Sequence, residues 1–192
     1  MALGTSDQLG VTIMIKSDSL SQAIVEEVRM VPYDSHWPTQ FAVERNRLFA
    51  LFPGHFAAIE HIGSTAVAGL AAKPVIDLMA GVHAIAEADA LLEPLCAHGY
   101  ETSAEFNATL TDRRWLMRHS EGRRTHHLHL VVFGCENWMR RLQFRNRLRA
   151  DSALAVRYEH LKQELAVVYR CDREGYTQAK AAFINEVLGS VT

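Results

Sequence analysis

The stretch Ile59–Val82, IEHIGSTAVAGLAAKPVIDLMAGV, decides the fold because two strands in it flank a glycine turn. The residue pattern predicts a short strand over Ala57–Ile62 and a tight turn over Gly63–Thr65. The apolar run Pro74–Val82 is typical of a buried strand, and it carries a single acid, Asp77. This order of strand, turn and acid-bearing strand indicates an α/β protein.

The predicted turn has residues suited to binding a phosphate. Gly63 has no Cβ, so the backbone there can approach a bound group closely. The amides and hydroxyls of Ser64 and Thr65 can hold a phosphate at a helix start. Asp77 lies on the next strand, where its carboxylate can hold Mg²⁺ beside that phosphate. The alternatives are an ordinary turn and an acid paired with a basic side chain, but an acid in a buried strand is costly unless it is paired or coordinating.

The rest of the chain predicts helices around this unit and a helical end. Residues 1–28 lack a strong pattern and are expected to form an extension to a domain over residues 29–192. The sequence favours an α/β (α+β) fold, a mixed sheet flanked by helices with a helical C-terminal segment. The expected elements are a helix that ends at Pro53-Gly54, a helix around Ile85–Leu95, strands over Tyr100–Phe106, Arg113–Arg118 and Thr125–Phe133, and helices over Trp138–Arg149, Leu154–Val168 and Tyr176–Val187.

Composition narrows the class of protein. The chain has 192 residues, a formal net charge of −2 and three cysteines, with no C-x-x-C pair. A nucleic-acid-binding protein usually carries a strong basic excess, so the charge argues against a nucleic-acid partner. The cysteine pattern favours a reducing compartment over a disulfide framework. The sequence shows no signal-peptide pattern and no apolar stretch of 18 residues, so we expect no membrane span and, by default, a cytoplasmic location.

Motifs in a fixed order between Val31 and Leu188 resemble one known family. The matching residues are Tyr33, Asp34, Trp37, Pro38, then Glu60–Thr65, Val67, Gly69, Leu70, Ala72–Pro74, Ile76 and Asp77, then His126–His129, then Phe144, Arg145, Leu148 and Arg149, and finally Tyr176, Ala179, Lys180, Phe183 and Ile184. This set resembles the GrpB family, also called UPF0157, whose members are described as nucleotidyltransferase-like or as an accessory domain of dephospho-CoA kinase. The resemblance implies a nucleotidyltransferase-like scaffold, with an NTP and a divalent metal (Mg, Mn or Zn) as its ligands.

The acidic residues depart from the nucleotidyltransferase pattern. Such an enzyme holds two Mg²⁺ ions about 3.5–4 Å apart between several carboxylates, whereas the alternate neighbours of Asp77 are Val75 and Met79. His127 and His129 lie two apart on a predicted strand and therefore point to the same face. Together with Asp77 they are candidate catalytic residues and ligands for a single Zn²⁺, Mn²⁺ or Fe²⁺. Alternatively, the histidines bind phosphate or act as acid and base near neutral pH.

Four more residues are candidates for contacts with a phosphate-bearing ligand. His61 lies beside the turn, and Lys73, Arg145 and Lys180 supply positive charge. Each has a structural alternative, because a histidine can be satisfied in the core and a long basic side chain can lie along an apolar surface while its charge stays in water. The Arg123-Arg124 pair is expected in a solvated turn.

Three functions with a ligand or metal remain open from the residues alone, beside a purely structural or partner-binding role that would need a large exposed apolar patch. The first is transfer of a nucleotidyl or phosphoryl-bearing group to a small molecule. The second is binding of a nucleotide or another phosphorylated ligand on a scaffold that no longer turns it over. The third is a single-metal hydrolase or lyase that uses one Asp and two His. The first two predict a nucleotide or another small phosphate-bearing ligand at the Gly-Ser turn and Asp77, and the third predicts a bound transition metal at Asp77, His127 and His129.

Overall fold

A computed structural model describes residues 29–189 of the chain. The predicted extension over residues 1–28 lies outside the described residues. Seven helices and four strands are described: α1 Trp37–Leu51, β1 Ala58–Ile62, β2 Ile76–Val82, α2 Ile85–Ala97, α3 Ala104–Ala108, β3 Arg113–Ser120, β4 Arg123–Val132, α4 Glu136–Ala150, α5 Ser152–Val168, α6 Arg173–Ala179 and α7 Ala181–Leu188, with one 3₁₀ turn at Ser64–Ala66.

The four strands form one mixed sheet in the order β1-β2-β4-β3. The strand β1 pairs with β2 antiparallel, β2 with β4 parallel, and β4 with β3 antiparallel. The parallel pair needs a long crossover between its strands, and α2, α3 and β3 lie within that connection. The predicted fold class, a mixed sheet flanked by helices, is confirmed.

One face of the sheet forms the main apolar core. Successive side chains of a strand point to opposite faces, so Leu78 and Ala80 of β2 lie beside Leu128 and Leu130 of β4. All four are fully buried. The helices α1 and α2 cover this face through a set of buried side chains that includes Trp37, Leu48, Ala88, Leu91 and Leu95.

The opposite face is apolar only at one end. There Met79 and Val131 pack with Trp138 of α4. Gly81 allows this approach, because a Cβ at that position would lie 2.9 Å from Phe133 and 3.1 Å from the Trp138 ring. Toward the beginning of β2 the same face carries Asp77 in place of a core residue. The sheet therefore has one fully packed face and one face that changes from apolar to polar along its strands.

Two expectations about local structure are wrong. The predicted strand at Tyr100–Phe106 is a single bridge, Glu101 to Met117, followed by the helix α3. Ser103 begins that helix, because its hydroxyl accepts a hydrogen bond from the amide of Phe106, and such a cap favours a helix over an extended chain. The predicted last helix is two helices that meet at Lys180, which ends α6 and begins α7.

Candidate functional site

The centre of the candidate site is a pair formed by Asp77 and His127. The two residues are direct partners in the parallel pairing of β2 and β4. The Asp77 Oδ1 atom lies 2.9 Å from His127 Nδ1, and their side chains are 27% and 15% exposed. The pair is held by the sheet itself and remains open to solvent from one side.

The other side of the His127 ring fixes its protonation. The Nη1 atom of Arg124 lies 3.3 Å from His127 Nε2. A guanidinium can only donate, so Nε2 is the acceptor and the ring proton is on Nδ1, from which it is donated to Asp77. Arg124 is buried and lies over the Trp115 ring, 5.7 Å from its centroid. The expectation that Arg124 belongs to a solvated turn is therefore wrong.

Burial and hydrogen bonding set the charges of this pair. Burial acts to raise the pKa of Asp77, but the hydrogen bond and charge of His127, with the charges of His129 and Lys73, outweigh it and lower the pKa to about 2. Burial lowers the pKa of His127 despite its Asp77 partner. At neutral pH the carboxylate is thus ionised and accepts a hydrogen bond from a neutral imidazole.

The Gly63 turn lies directly against this carboxylate. Gly63 has φ +72°, a left-handed conformation that side chains rarely adopt, and it is exposed. A Cβ at this position would lie 2.3 Å from Asp77 Oδ2. Only glycine therefore allows the turn and the Asp77 side chain to occupy these positions together.

Side chains from α4 hold the turn in place. Arg145 donates from Nη1 to the carbonyl of His61 at 2.9 Å and to Glu60 at 2.7 Å, and Arg149 donates to the carbonyl of Ala66 at 2.9 Å. Tyr158 of α5 is buried, and the nearby Ser64 side chain acts to lower the pKa of its phenol against the larger, opposite effect of burial. Arg145, a predicted ligand contact, is thus already bonded to the backbone and to an acid, and its observed partners are structural.

Two lysines flank the site on the side of the C-terminal helices. The ammonium groups of Lys73 and Lys180 lie 5.0 Å and 4.3 Å from the ring centroid of Tyr176. Burial lowers the pKa of Lys180 to about 8, and the charge of Asp77 opposes that shift. The charges of both lysines therefore act on Asp77, and their contact with a phosphate-bearing ligand stays a prediction.

Two of the predicted site residues lie elsewhere. His61 pairs with Leu78 of β2 and so points to the apolar face, opposite to Asp77. Its ring stacks on Phe41 at 4.7 Å, and its Nε2 lies 3.0 Å from the hydroxyl of Thr65, which also bonds to a backbone carbonyl. Burial lowers the pKa of His61 to about 4. The structure does not bring His61 or Thr65 into contact with the Asp77–His127 pair.

His129 lies on the same face as His127, two residues farther along β4. Its Nδ1 atom is buried and has no hydrogen-bond partner among the described residues. Its pKa is well below the ordinary value because of burial and then because of the charge of Arg141. Sequence reasoning missed Arg141 and Tyr158, since both come from helices distant along the chain and neither belongs to a recognisable local motif.

The three predicted metal ligands do not form a metal-binding arrangement. No group of three or more His, Cys, Asp or Glu side chains within residues 29–189 is placed to hold a metal ion. The two nitrogens of His127 face Asp77 and Arg124, so neither is available to a metal without rearrangement. A metal site at Asp77, His127 and His129 stays a prediction.

Between residues 29 and 189, no helix is both long and apolar enough to cross a membrane.

Comparison with known proteins identifies relatives over most of the chain. The chain is 34% identical over 158 residues to the UPF0157 protein YqkA of Bacillus subtilis. This match covers 82% of this chain and 45% of YqkA. The chain therefore spans less than half the length of that relative. It is 31% identical over 173 residues to the glutamate-rich protein GrpB of Alkalihalophilus pseudofirmus, covering 86% and 96% of the two chains.

A shorter match joins this chain to a larger enzyme. Over 76 residues the chain is 45% identical to the dephospho-CoA kinase of Mycolicibacterium paratuberculosis. The matched segment is 38% of this chain and 19% of the kinase.

A solved structure and a family model both match this chain to GrpB proteins. The crystal structure of the conserved protein GrpB from Enterococcus faecalis superposes with a TM-score of 0.72 at 36% identity, covering 83% of this chain and 94% of that one. The family model described as GrpB protein matches residues 27–190. The chain therefore belongs to the GrpB (UPF0157) family.

Proposed function

We propose that this protein binds a phosphate-bearing small molecule, with a nucleotide as the leading candidate, on the sheet face that carries Asp77 and His127. The observation that supports this most is the charge around Asp77. One carboxylate, partly open to solvent, is surrounded by Lys73, Lys180 and Arg124, all of which act on the Asp77–His127 pair. Such an excess of positive charge favours an anionic ligand.

The turn adds backbone groups suited to the same ligand. Gly63 is exposed beside the carboxylate, and a 3₁₀ turn begins at Ser64. Exposed backbone N–H groups next to cationic side chains are common in sites that bind phosphate. Because Arg145 and Arg149 bond to the backbone on either side of this turn, it would be preorganised for binding, which lowers the entropic cost of association.

The residues do not fit a two-metal transferase. A pair of Mg²⁺ ions needs several carboxylates around it, and Asp77 is the acid on this face of β2, with Met79 beyond it. Its Oδ1 atom is bonded to His127 and its Oδ2 atom lies against Gly63. Binding without a bridging metal is therefore the better-supported function of this site.

Transfer of a nucleotidyl or phosphoryl-bearing group is the second candidate. The ionised state of Asp77 beside a glycine turn favours it, since such a carboxylate can hold one divalent ion. The two candidates differ in whether binding needs a divalent metal.

The relative named dephospho-CoA kinase suggests which ligands to test first. Its name specifies dephospho-CoA as a substrate, and a kinase also uses a nucleotide. We infer that ATP, AMP and dephospho-CoA form a reasonable first panel for this chain.

A thermal-shift screen tests the proposal. Each ligand is added to the protein in EDTA and, separately, with Mg²⁺, Mn²⁺ or Zn²⁺. A ligand at about 100 times its Kd should raise the free energy of unfolding by about 2.7 kcal/mol. We expect at least one ligand of the panel to do so in EDTA, and the gain to fall in Lys180→Gln.

A matched control separates the site from general charge effects. Arg157 on α5 forms an exposed ion pair with Glu186, with side chains 60% and 62% exposed. Arg157→Gln removes the same unit of charge from the same helical region and should leave the ligand-induced gain unchanged. Equal losses in the two variants, or no gain with any ligand, would reject the proposed site.

A further inference from the structure

A second cluster of basic residues lies farther along the same face of the sheet. On β3, Arg113 pairs with Val131 of β4, and the next pair on that face is Trp115 with His129. The helix α4 packs on this face through Trp138, and Arg141 lies three residues later on the same helix. Arg113, His129 and Arg141 thus come from three different elements and converge on one end of the Asp77 face.

The positive charge of this cluster exceeds the negative charge of the carboxylates that hydrogen-bond to it. Asp112 accepts from Arg113 Nη1 at 3.0 Å and from the Asn137 amide at 2.6 Å, and Asn137 in turn accepts from Arg141 Nε at 2.8 Å. Asp112, 47% exposed, thus bonds directly to Arg113 and reaches Arg141 only through Asn137, while Asp77 acts on Arg141 through its charge. The pKa of Arg141 is lowered to about 10, first by burial and then by the charge of Arg113, which shows that the two cations oppose each other.

Two buried polar atoms in this cluster lack partners. Neither Nε of Arg113 nor Nδ1 of His129 has a hydrogen-bond partner among residues 29–189. A buried donor without an acceptor is unfavourable in a folded protein, and a native structure with such atoms needs an explanation. An anion placed between Arg113, His129 and Arg141 would supply acceptors to both atoms and would separate the two like charges.

We propose that Arg113, His129 and Arg141 form a second anion subsite, which binds a phosphoryl or carboxylate group of the same ligand that Lys73 and Lys180 hold at its other end. This inference rests on the proposed function. Guanidinium groups suit it because their fixed N–H geometry matches the oxygens of a phosphate or carboxylate.

The strands set the spacing of the two subsites. Arg113 is level with Val131, and Asp77 is level with His127, so the levels differ by four residues of β4. At about 3.3 Å per residue this is about 13 Å along the strand, before side chains extend toward each other. The ligand therefore carries two separated anionic groups rather than one.

Titration of ¹⁵N-labelled full-length protein with inorganic phosphate, at low ionic strength and in EDTA, tests the inference. Two groups of amide signals should respond, one at Gly63, Lys73 and Lys180 and one at Arg113, His129 and Arg141. In Arg141→Gln the phosphate affinity reported by the second group should fall by about tenfold, since a charged hydrogen bond is lost, while the first group should keep its affinity. In Lys180→Gln the pattern should reverse.

Two further variants guard against loss of structure and against general charge effects. Arg113→Lys retains the charge but not the forked geometry, and it should weaken binding at the second group while the protein stays folded. Arg123→Gln removes an exposed arginine at the other end of β4 and should change neither affinity.

The outcomes separate this inference from the proposed function. If the first group responds and the second does not, or if Arg141→Gln and Arg113→Lys bind phosphate like the unmodified protein, the second subsite is refuted and the proposed function survives. If only the second group responds, the subsite stands and the site at Lys180 fails. If neither responds, both are refuted.

Discussion

The two faces of the sheet are built from alternate residues of the same strands, yet only one of them is apolar along its whole length. On one face Leu78, Leu128 and Leu130 are fully buried under α1 and α2. On the other, Asp77 and His127 stay partly exposed and cationic side chains surround them. If the Asp77 face binds a ligand as proposed, substitutions on the two faces should separate stability from binding.

The largest effect should come from truncating the packed face. Leu128 is 0% exposed between α1 and α2, so Leu128→Ala removes buried methyl groups and leaves a cavity, at a cost of about 2–5 kcal/mol in the free energy of unfolding. Urea denaturation measures this cost. The neighbouring change His127→Gln, on the other face, should cost less than about 1.5 kcal/mol. Similar costs at both positions would mean that the faces are not distinct.

The next effect concerns the glycine turn. Gly63→Ala adds a Cβ 2.3 Å from Asp77 Oδ2 at a residue with φ +72°. We expect it to cost about 1–3 kcal/mol in the free energy of unfolding and to abolish ligand-induced stabilisation, because the turn or the carboxylate must move.

Gly54→Ala is the matched control for that change. Gly54 also has a positive φ, +80°, but nothing lies within 4 Å of its Cβ position. It should show the backbone strain alone, about 1 kcal/mol, with ligand binding intact. If both variants lose binding, contact between the turn and Asp77 is not the cause.

Lys180 should make the stability of the polar face depend on pH. Its pKa in the folded protein is about 8, against an ordinary value of 10.5. Between these two pH values Lys180 therefore binds more protons in the unfolded chain than in the folded protein. The contribution of Lys180 to the free energy of unfolding rises as pH increases from about 8 to about 10.5. Lys180→Met should thus be more stable than the unmodified protein at pH 7, by about 1–2 kcal/mol.

The pH dependence of that difference identifies its origin. The advantage of Lys180→Met should shrink as pH rises through this range. The substitution also removes the charge that helps to lower the pKa of Lys162, so Lys162→Met is the companion variant that separates the two lysines. Thermal unfolding at several pH values measures the advantage of each variant. A difference that does not change with pH would assign the effect to packing instead.

The smallest effect should come from the phenol beside the turn. Tyr158→Phe removes the hydroxyl near Ser64 but keeps the ring, which packs against Phe144 and Phe183. The expected cost is about 0.5–1.5 kcal/mol in the free energy of unfolding. Ligand affinity should fall as well if the turn is preorganised. An unchanged affinity would limit Tyr158 to packing.

Much of this architecture could be predicted from local sequence. Strand periodicity located β2 and β4 and placed His127 and His129 on one face, because both lie in a single strand. The ordered motifs identified the family, since they extend over most of the chain. The apolar run around Asp77 also indicated that its carboxylate must have a partner.

Other parts depend on how distant segments pair. The antiparallel register of β1 sets His61 opposite Leu78, and no local pattern shows that register, so His61 was expected near Asp77. Arg124 looked like a turn residue, yet the long β3–β4 hairpin brings it back over Trp115. The break at Lys180 and the positions of Tyr158 and Arg141 depend on packing of the C-terminal helices, which periodicity within one helix does not reveal.

The most direct test of the central claim is the affinity of Asp77→Asn for ATP, or for the best ligand of the panel, in EDTA. If the polar face binds anions without a bridging metal, the unmodified protein binds under these conditions. Removing the negative charge of Asp77 should then raise the affinity, because the substitution eliminates a repulsion. No binding in EDTA, together with Mg²⁺-dependent binding that Asp77→Asn abolishes, would contradict the account and assign Asp77 to a metal.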